Sequence, residues 1–248
     1  MRFMANLQTL SNVEHKDVKI ISELRPEFGD AVGGALVFPS ELIAVQREFP
    51  ILFQKEPESG ILQLIALFGF QSDENLFLES DGWTARYTPL LMRKDPFFIG
   101  LKENPNASGE PEMLIQLDLD SARVVTDGSE GQALFLPGGG FTPYLDDVKK
   151  TLLGIHRGLS EAKILTDLLL EHDLLETFTL DAQFSDGGGI KTDSYYTINT
   201  DKLYSLPQGL IAEMHSKGYL QLIYLIHFSF GNIQNLVNRK NQLLKNAI

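Results

Sequence analysis

Residues 49–68 read Phe-Pro-Ile-Leu-Phe-Gln-Lys-Glu-Pro-Glu-Ser-Gly-Ile-Leu-Gln-Leu-Ile-Ala-Leu-Phe. Pro50 cannot donate to a sheet ladder, so it ends whatever precedes it and starts a strand over Ile51 to Gln54. Glu56 to Gly60 carries turn chemistry, and Ile61 to Phe68 returns as a second apolar run. The stretch predicts a β-hairpin, the clearest one in the N-terminal half.

Working outward, the first half stays β-rich. Val18 to Ile21 and Ala35 to Phe38 read as strands, the latter stopped by Pro39. Ser40 offers an N-cap for a short helix through Val45 and Gln46. Asp81-Gly82 marks a turn after Leu76 to Leu78. Phe97 to Gly100 follows Pro96, and Met113 to Leu119 alternates as a half-buried strand does. The Pro/Asn/Gly/Ser-rich run Asn104 to Pro111 is expected to be the most mobile internal loop.

The second half turns helical. Thr142-Pro143 is a helix start, with a capping hydroxyl and a proline whose missing N–H costs nothing there. Apolar residues then fall at Leu145, Val148, Leu152, Ile155, Leu159 and Ala162, which predicts one long helix or two jointed near Gly158. Phe178 to Phe184 and Ile190 to Ile198 flank Asp186 to Gly189 as a second hairpin. Thr200 is read as a cap, Pro207 opens a helix to His215, and Gly218 ends it. A long helix is expected from about Tyr219 to Leu244. The fold class is α+β, with a mainly antiparallel N-terminal sheet region and a helical C-terminal region carrying a second β-hairpin. Residues 1–248 form a single domain on this reading, with possible lobes at 1–140 (β-rich) and 141–248 (helix-rich).

Composition narrows the function. The chain has 248 residues, 43% hydrophobic and 22% charged, enough for a real core. Its 33 acidic residues against 21 Lys and Arg give a formal charge of −12, which repels nucleic acid and anionic lipid. Arg239, Lys240 and Lys245 run against that trend and are read as cations complementing a helix C-terminus. The absence of cysteine rules out disulfides, thiolate metal sites and cysteine nucleophiles. The N-terminus lacks the apolar core of a secretory signal. Gly218 to Gly231 is too short for a membrane span, which takes roughly 20 apolar residues. A soluble, cytoplasmic location is the expectation.

Several motif pieces crowd residues 49–97: Phe49-Pro50, Phe53, Ala66 to Gly69, Glu74 to Phe77, Trp83, Tyr87, Pro89, Arg93 and Pro96-Phe97. A second block holds His215, Gly218 to Leu220, Ile223-Tyr224, Ser229, Asn232 and Leu236. Asn12 to Asp17, Thr142 to Leu145 and Glu171 to Leu175 complete a pattern across more than 200 residues. In order and spacing it resembles the bacterial SapC family. The family's name comes from surface-layer loci, and its members are often labelled transporter components. The resemblance implies a soluble protein, often encoded near tryptophan-halogenase-like proteins and outer-membrane receptors. It brings no catalytic motif.

Trp83, Tyr87 and Arg93 are the first site candidates. If 83–92 is helical, Trp83 and Tyr87 share a face that Arg93 ends, an arrangement suited to a planar or anionic ligand. The alternative is a core aromatic pair with Arg93 in a structural ion pair. Tyr224, His227 and Asn232 are the second set, polar groups on an otherwise apolar helix. They either face the same site or each pair with backbone. His15-Lys16-Asp17 has the H-x-D form of an iron site in the wrong context, so no metal and no cofactor are expected. Gly138 to Gly140 is read as a flexible turn before the helix rather than an anion nest. No nucleophile, base and orienter assemble. The leading expectation is a non-catalytic binding or accessory protein for a small molecule, peptide segment or partner enzyme. An enzyme acting on an amino-acid or peptide substrate is the alternative, and a structural role in surface-layer assembly the third.

Overall fold

The 49–68 stretch forms its hairpin. A computed structural model describes residues 6–102, 112–128 and 130–246, so the loop expected over Asn104 to Pro111 lies outside the described residues. Ile51–Lys55 pairs antiparallel with Leu62–Leu67, running from Ile51 against Ala66 to Lys55 against Leu62. Gly60 turns the chain at φ 69°, a conformation that favours glycine. Ile51, Leu52 and Phe53 are all fully buried, so both faces of this strand are covered.

The hairpin is the centre of a five-stranded antiparallel sheet. Gly34–Leu36 adds to its Leu62–Leu67 side. On the other side Gly189–Ile198 pairs with Ile51–Lys55 through Tyr195 against Gln54 and Tyr196 against Phe53. Leu175–Gln183 completes the sheet as the far strand of the second hairpin, with a bulge between Phe178 and Leu180. The α+β class and both hairpins therefore stand. The second hairpin extends the sheet of the first instead of forming a separate element among helices.

That pairing changes how the chain is divided. One unit comprises Met1–Asp30 and Leu90–His156; the other comprises Ala31–Pro89 and Arg157–Ile248. The units interleave along the sequence, and neither ends near residue 140. A hairpin from the C-terminal half completes a sheet begun at residue 34, a long-range choice that local patterns do not encode.

In the first unit, Glu112–Asp118 lies between Leu7–Thr9 and Phe97–Lys102. A smaller ladder sets Lys19–Ile20 between Val124–Val125 and Gln132–Ala133. Ile20, Phe97, Leu117 and Leu134 pack with Leu145, Val148 and Leu152 as its core. The last three are the first turns of the Pro143–Glu171 helix, started as the sequence predicts by Thr142, whose Oγ1 accepts from the Leu145 amide at 3.3 Å. Gly138 to Gly140 is a tight turn: Leu136 N–H donates to Gly140 O at 2.7 Å and Gly139 sits at φ 84°.

Tyr144 in this unit has its phenol pushed up to about 12, chiefly by burial, with the nearby Arg123 charge acting the other way. A raised phenol pKa means the folded state holds the proton longer than the unfolded chain. The resulting stability is intact below about pH 10, the ordinary tyrosine value, and is lost as pH climbs towards 12. Tyr144→Phe should flatten that alkaline decline in denaturation midpoint. An unchanged decline would show that another group causes it.

In the second unit several local readings change. Glu41, not Ser40, supplies the cap at the Pro39–Glu41 turn, its Oε1 accepting from Phe38 N–H at 3.0 Å. Asn199 rather than Thr200 caps Thr200–Tyr204, accepting from Lys202 N–H at 2.9 Å. The Pro143–Glu171 helix is unbroken at Gly158, and Leu159 is 53% exposed. Gly158 takes the buried place instead, beneath the Phe38 ring.

The expected helix from Tyr219 to Leu244 is two helices, Tyr219–Phe228 and Gly231–Asn246. Ser229 breaks it: its Oγ accepts from Ile51 N–H at 2.8 Å and donates to Ile226 O at 2.6 Å. The first bond satisfies the opening amide of the central strand, which ties the helix break to the sheet. Residues 83–92 are not helical either. Trp83 ends a small ladder, Leu78–Glu79 with Gly82–Trp83, and only Leu90–Arg93 forms a helical turn. Gly82 at φ 107° and Pro89 both oppose a continuous helix there.

Candidate functional site

The segment from Phe49 to Tyr87 builds an aromatic wall in the second unit. Phe77 stands edge-on to Phe49 at 4.7 Å between centroids, and Trp83 lies 5.4 Å from Phe68 and 5.9 Å from Phe49. Such tilted and edge-on contacts suit the ring quadrupoles. Trp83 Nε1 donates to Tyr87 O at 3.1 Å, so the pair meets through backbone without a shared helix face. Tyr87 Oη donates to the buried Glu41 at 2.9 Å. The amides of Arg86 and Tyr87 donate to the two oxygens of Glu48 at 2.9 and 3.0 Å.

Asn232 reaches the same turn from the last helix. It is 8% exposed, and its Nδ2 donates to Gln46 O at 2.8 Å and Phe49 O at 3.2 Å. This is the backbone-pairing alternative. The structure thus brings Trp83, Tyr87 and Asn232 around residues 46–49. Tyr224 and His227 are on the preceding helix: Tyr224 stacks on Phe228 at 5.9 Å, and His227 lies 5.3 Å from the same ring. Arg93 is exposed and belongs to the first unit, where its charge helps to hold the Asp147 carboxyl below the ordinary range, after the larger effect of Lys150.

The last helix grips the 74–84 segment through cations assigned on sequence to the helix end. Arg239 lies over the Phe77 ring at 4.3 Å and donates to Leu76 O at 3.3 Å and Thr84 Oγ1 at 3.2 Å, with Glu79 at 3.7 Å. Lys240 pairs with Glu74, both largely buried, while the other Glu74 oxygen accepts from Phe70 N–H at 2.8 Å. These contacts replace the simple dipole reading with a brace between two parts of the unit.

Between brace and turn lies an open groove of about 380 Å³. It is lined by Arg47, Glu48 and Phe77 and by Asn235, Asn238, Arg239 and Gln242 of the last helix. Arg47 is exposed and forms no ion pair among the described residues. Arg47, Asn235, Asn238 and Gln242 went unremarked on sequence. The legible signal was the spacing of 235, 238, 239 and 242, which puts them on one helix face, in a helix without an acidic residue.

His15 and Asp17 do not form a site together. His15 is 3% exposed, with Nδ1 accepting from Ser11 N–H at 3.0 Å, while the Asp17 side chain is 82% exposed. Among the described residues no helix is long and apolar enough to cross a membrane.

No curated protein and no solved structure matches the chain. The SapC family model matches residues 10–236, taking in the aromatic wall and most of both units and stopping short of the brace cations Arg239 and Lys240, and the chain belongs to the SapC family.

Proposed function

We propose that this chain is a non-catalytic binding or accessory protein, and that the groove between Arg47 and the last helix is its recognition site. The observation that carries this reading is the groove's chemistry. Guanidiniums and carboxamides hold fixed, complementary hydrogen-bonding patterns and do not exchange protons near neutral pH. The one carboxylate, Glu48, has both oxygens engaged by backbone amides. Such a set supports recognition rather than acid–base or nucleophilic work. The setting proposed is the cytoplasm, and the occupant a small molecule, a peptide segment or a partner enzyme. A tryptophan-halogenase-like protein from the same locus is the first partner to test.

Native mass spectrometry of protein purified from its own host tests the site. A retained small molecule, peptide or partner should appear on the wild type and be lost from Arg47→Ala/Gln242→Ala. Both side chains are exposed, so the variant should fold normally. An adduct kept in full by the variant places the binding site elsewhere.

A further inference from the structure

We infer that the groove takes an extended peptide segment carrying a carboxylate, with Arg47 reading the carboxylate and Asn235, Asn238 and Gln242 reading the peptide backbone; this rests on the groove being the recognition site. The first support is the composition of the Gly231–Asn246 helix, which holds asparagine at 232, 235, 238, 241 and 246. Asparagine is among the poorer helix formers, because its side chain competes for backbone hydrogen bonds. Two of these residues have structural duties that justify the choice. Asn232 holds Gln46 O and Phe49 O, and Asn241 Oδ1 accepts from Ser185 N–H at 2.8 Å.

Asn235 and Asn238 have none of that kind. Their contacts are exposed or partly buried and local to the helix: Asn235 Nδ2 to Asn232 Oδ1 at 3.3 Å, and Gln234 Nε2 to Asn238 Oδ1 at 3.2 Å. Each lines the groove and keeps unused donor and acceptor capacity. A carboxamide offers a donor and an acceptor side by side, the pattern a peptide group complements.

The spacing agrees. Asn235 to Gln242 spans about 10.5 Å along a helix at 1.5 Å per residue. Three residues of extended chain cover about 10 Å. Charge supplies the second half of the argument. Arg239 is engaged by Glu79, Thr84, Leu76 and the Phe77 face, and Glu48 by two amides, which leaves Arg47 as the guanidinium able to form a bidentate pair with an incoming carboxylate.

An immobilised random library of acetylated hexapeptide amides tests this directly. The wild type should enrich sequences with Asp or Glu at one fixed position. The best binder should weaken at least about tenfold, equivalent to about 1.4 kcal/mol, on Arg47→Ala. A comparable loss is expected when the peptide's amides beside the acid are N-methylated, and with Asn235→Ala/Asn238→Ala. That double variant should melt no lower than the wild type, since alanine is the better helix former, so its loss of binding would not reflect unfolding. No enriched acidic position, or binding indifferent to these variants, overturns the inference. If N-acetylglutamate binds as tightly as the hexapeptide, the peptide assignment falls while the groove stands as a binding site. If the native adduct also survives Arg47→Ala/Gln242→Ala, both fall.

Discussion

Arg123→Met should cost about 3–5 kcal/mol of stability, because it strands a buried carboxylate. Arg123 is 3% exposed and its partner Asp30 5%. One guanidinium nitrogen donates to Asp30 Oδ2 at 2.5 Å; another donates to Ile21 O at 3.1 Å and Glu23 O at 2.7 Å. Asp30 Oδ2 also accepts from Arg25 N–H at 2.7 Å, and Arg123 lies over the Phe28 ring at 4.8 Å. Removing the arginine therefore takes the counter-charge from a buried anion and the donor from two carbonyls together, while methionine keeps most of the side-chain volume. The methionine variant separates lost charge from lost packing. Urea unfolding should show the midpoint falling sharply, and Asp30→Ala should show a loss of the same order. A loss under about 1 kcal/mol for Arg123→Met would mean that the pair is hydrated in solution, as an exposed ion pair is.

Gly158→Ala should destabilise the second unit, against its effect in an isolated helix. In an exposed helix interior the change gains about 1 kcal/mol from propensity. Here a Cβ would stand 2.5 Å from Cγ and 2.6 Å from Cβ of Phe38, closer than non-bonded carbons come. Phe38 is 1% exposed and has no room to swing away. Overpacking of this kind costs typically about 1–3 kcal/mol, so the net result is a loss. Phe38→Ala removes the Cγ at 2.5 Å, so the double variant should be better than the sum of the singles. A stabilised Gly158→Ala would show that the helix stands farther from Phe38 than described.

Local chemistry was legible where residues near in sequence sufficed. Pro50, the Glu56 to Gly60 turn, Asp186 to Gly189 and Thr142-Pro143 each specify an element through a missing donor, a positive φ or a capping hydroxyl. Those devices act within a few residues. Misreadings arose where a distant partner overrode a local preference. The Tyr219–Leu244 pattern is helical throughout, yet Ser229 is drawn off to the amide of Ile51. Leu159 fits the apolar stripe, yet the close approach of Phe38 demands glycine next door. Trp83 and Tyr87 have helical spacing, but the chain between them bends at Ala85 and Arg86, where the Glu48 carboxylate takes the Arg86 and Tyr87 amides.

The candidate site divides in the same way. Sequence singled out Trp83, Tyr87 and Asn232 as chemically unusual; the fold gathers them at residues 46–49, where aromatic packing and backbone hydrogen bonds engage them. Arg47, Asn235, Asn238 and Gln242 are ordinary surface residues taken one at a time, and only their placement around Phe77 makes them a groove.

By itself, then, the sequence determined the α+β class, both hairpins, the start of the long helix and the family, because these rest on short-range backbone preferences and on motif order. Tertiary structure alone decided that the second hairpin completes the first hairpin's sheet, that the two units interleave, and that Arg239 and Lys240 brace the 74–84 segment. Each of these is a choice among many chemically acceptable long-range partners. Burial settles it by selecting the arrangement in which the strand amides, the Asp30 carboxylate and the Arg123 guanidinium all find partners out of water.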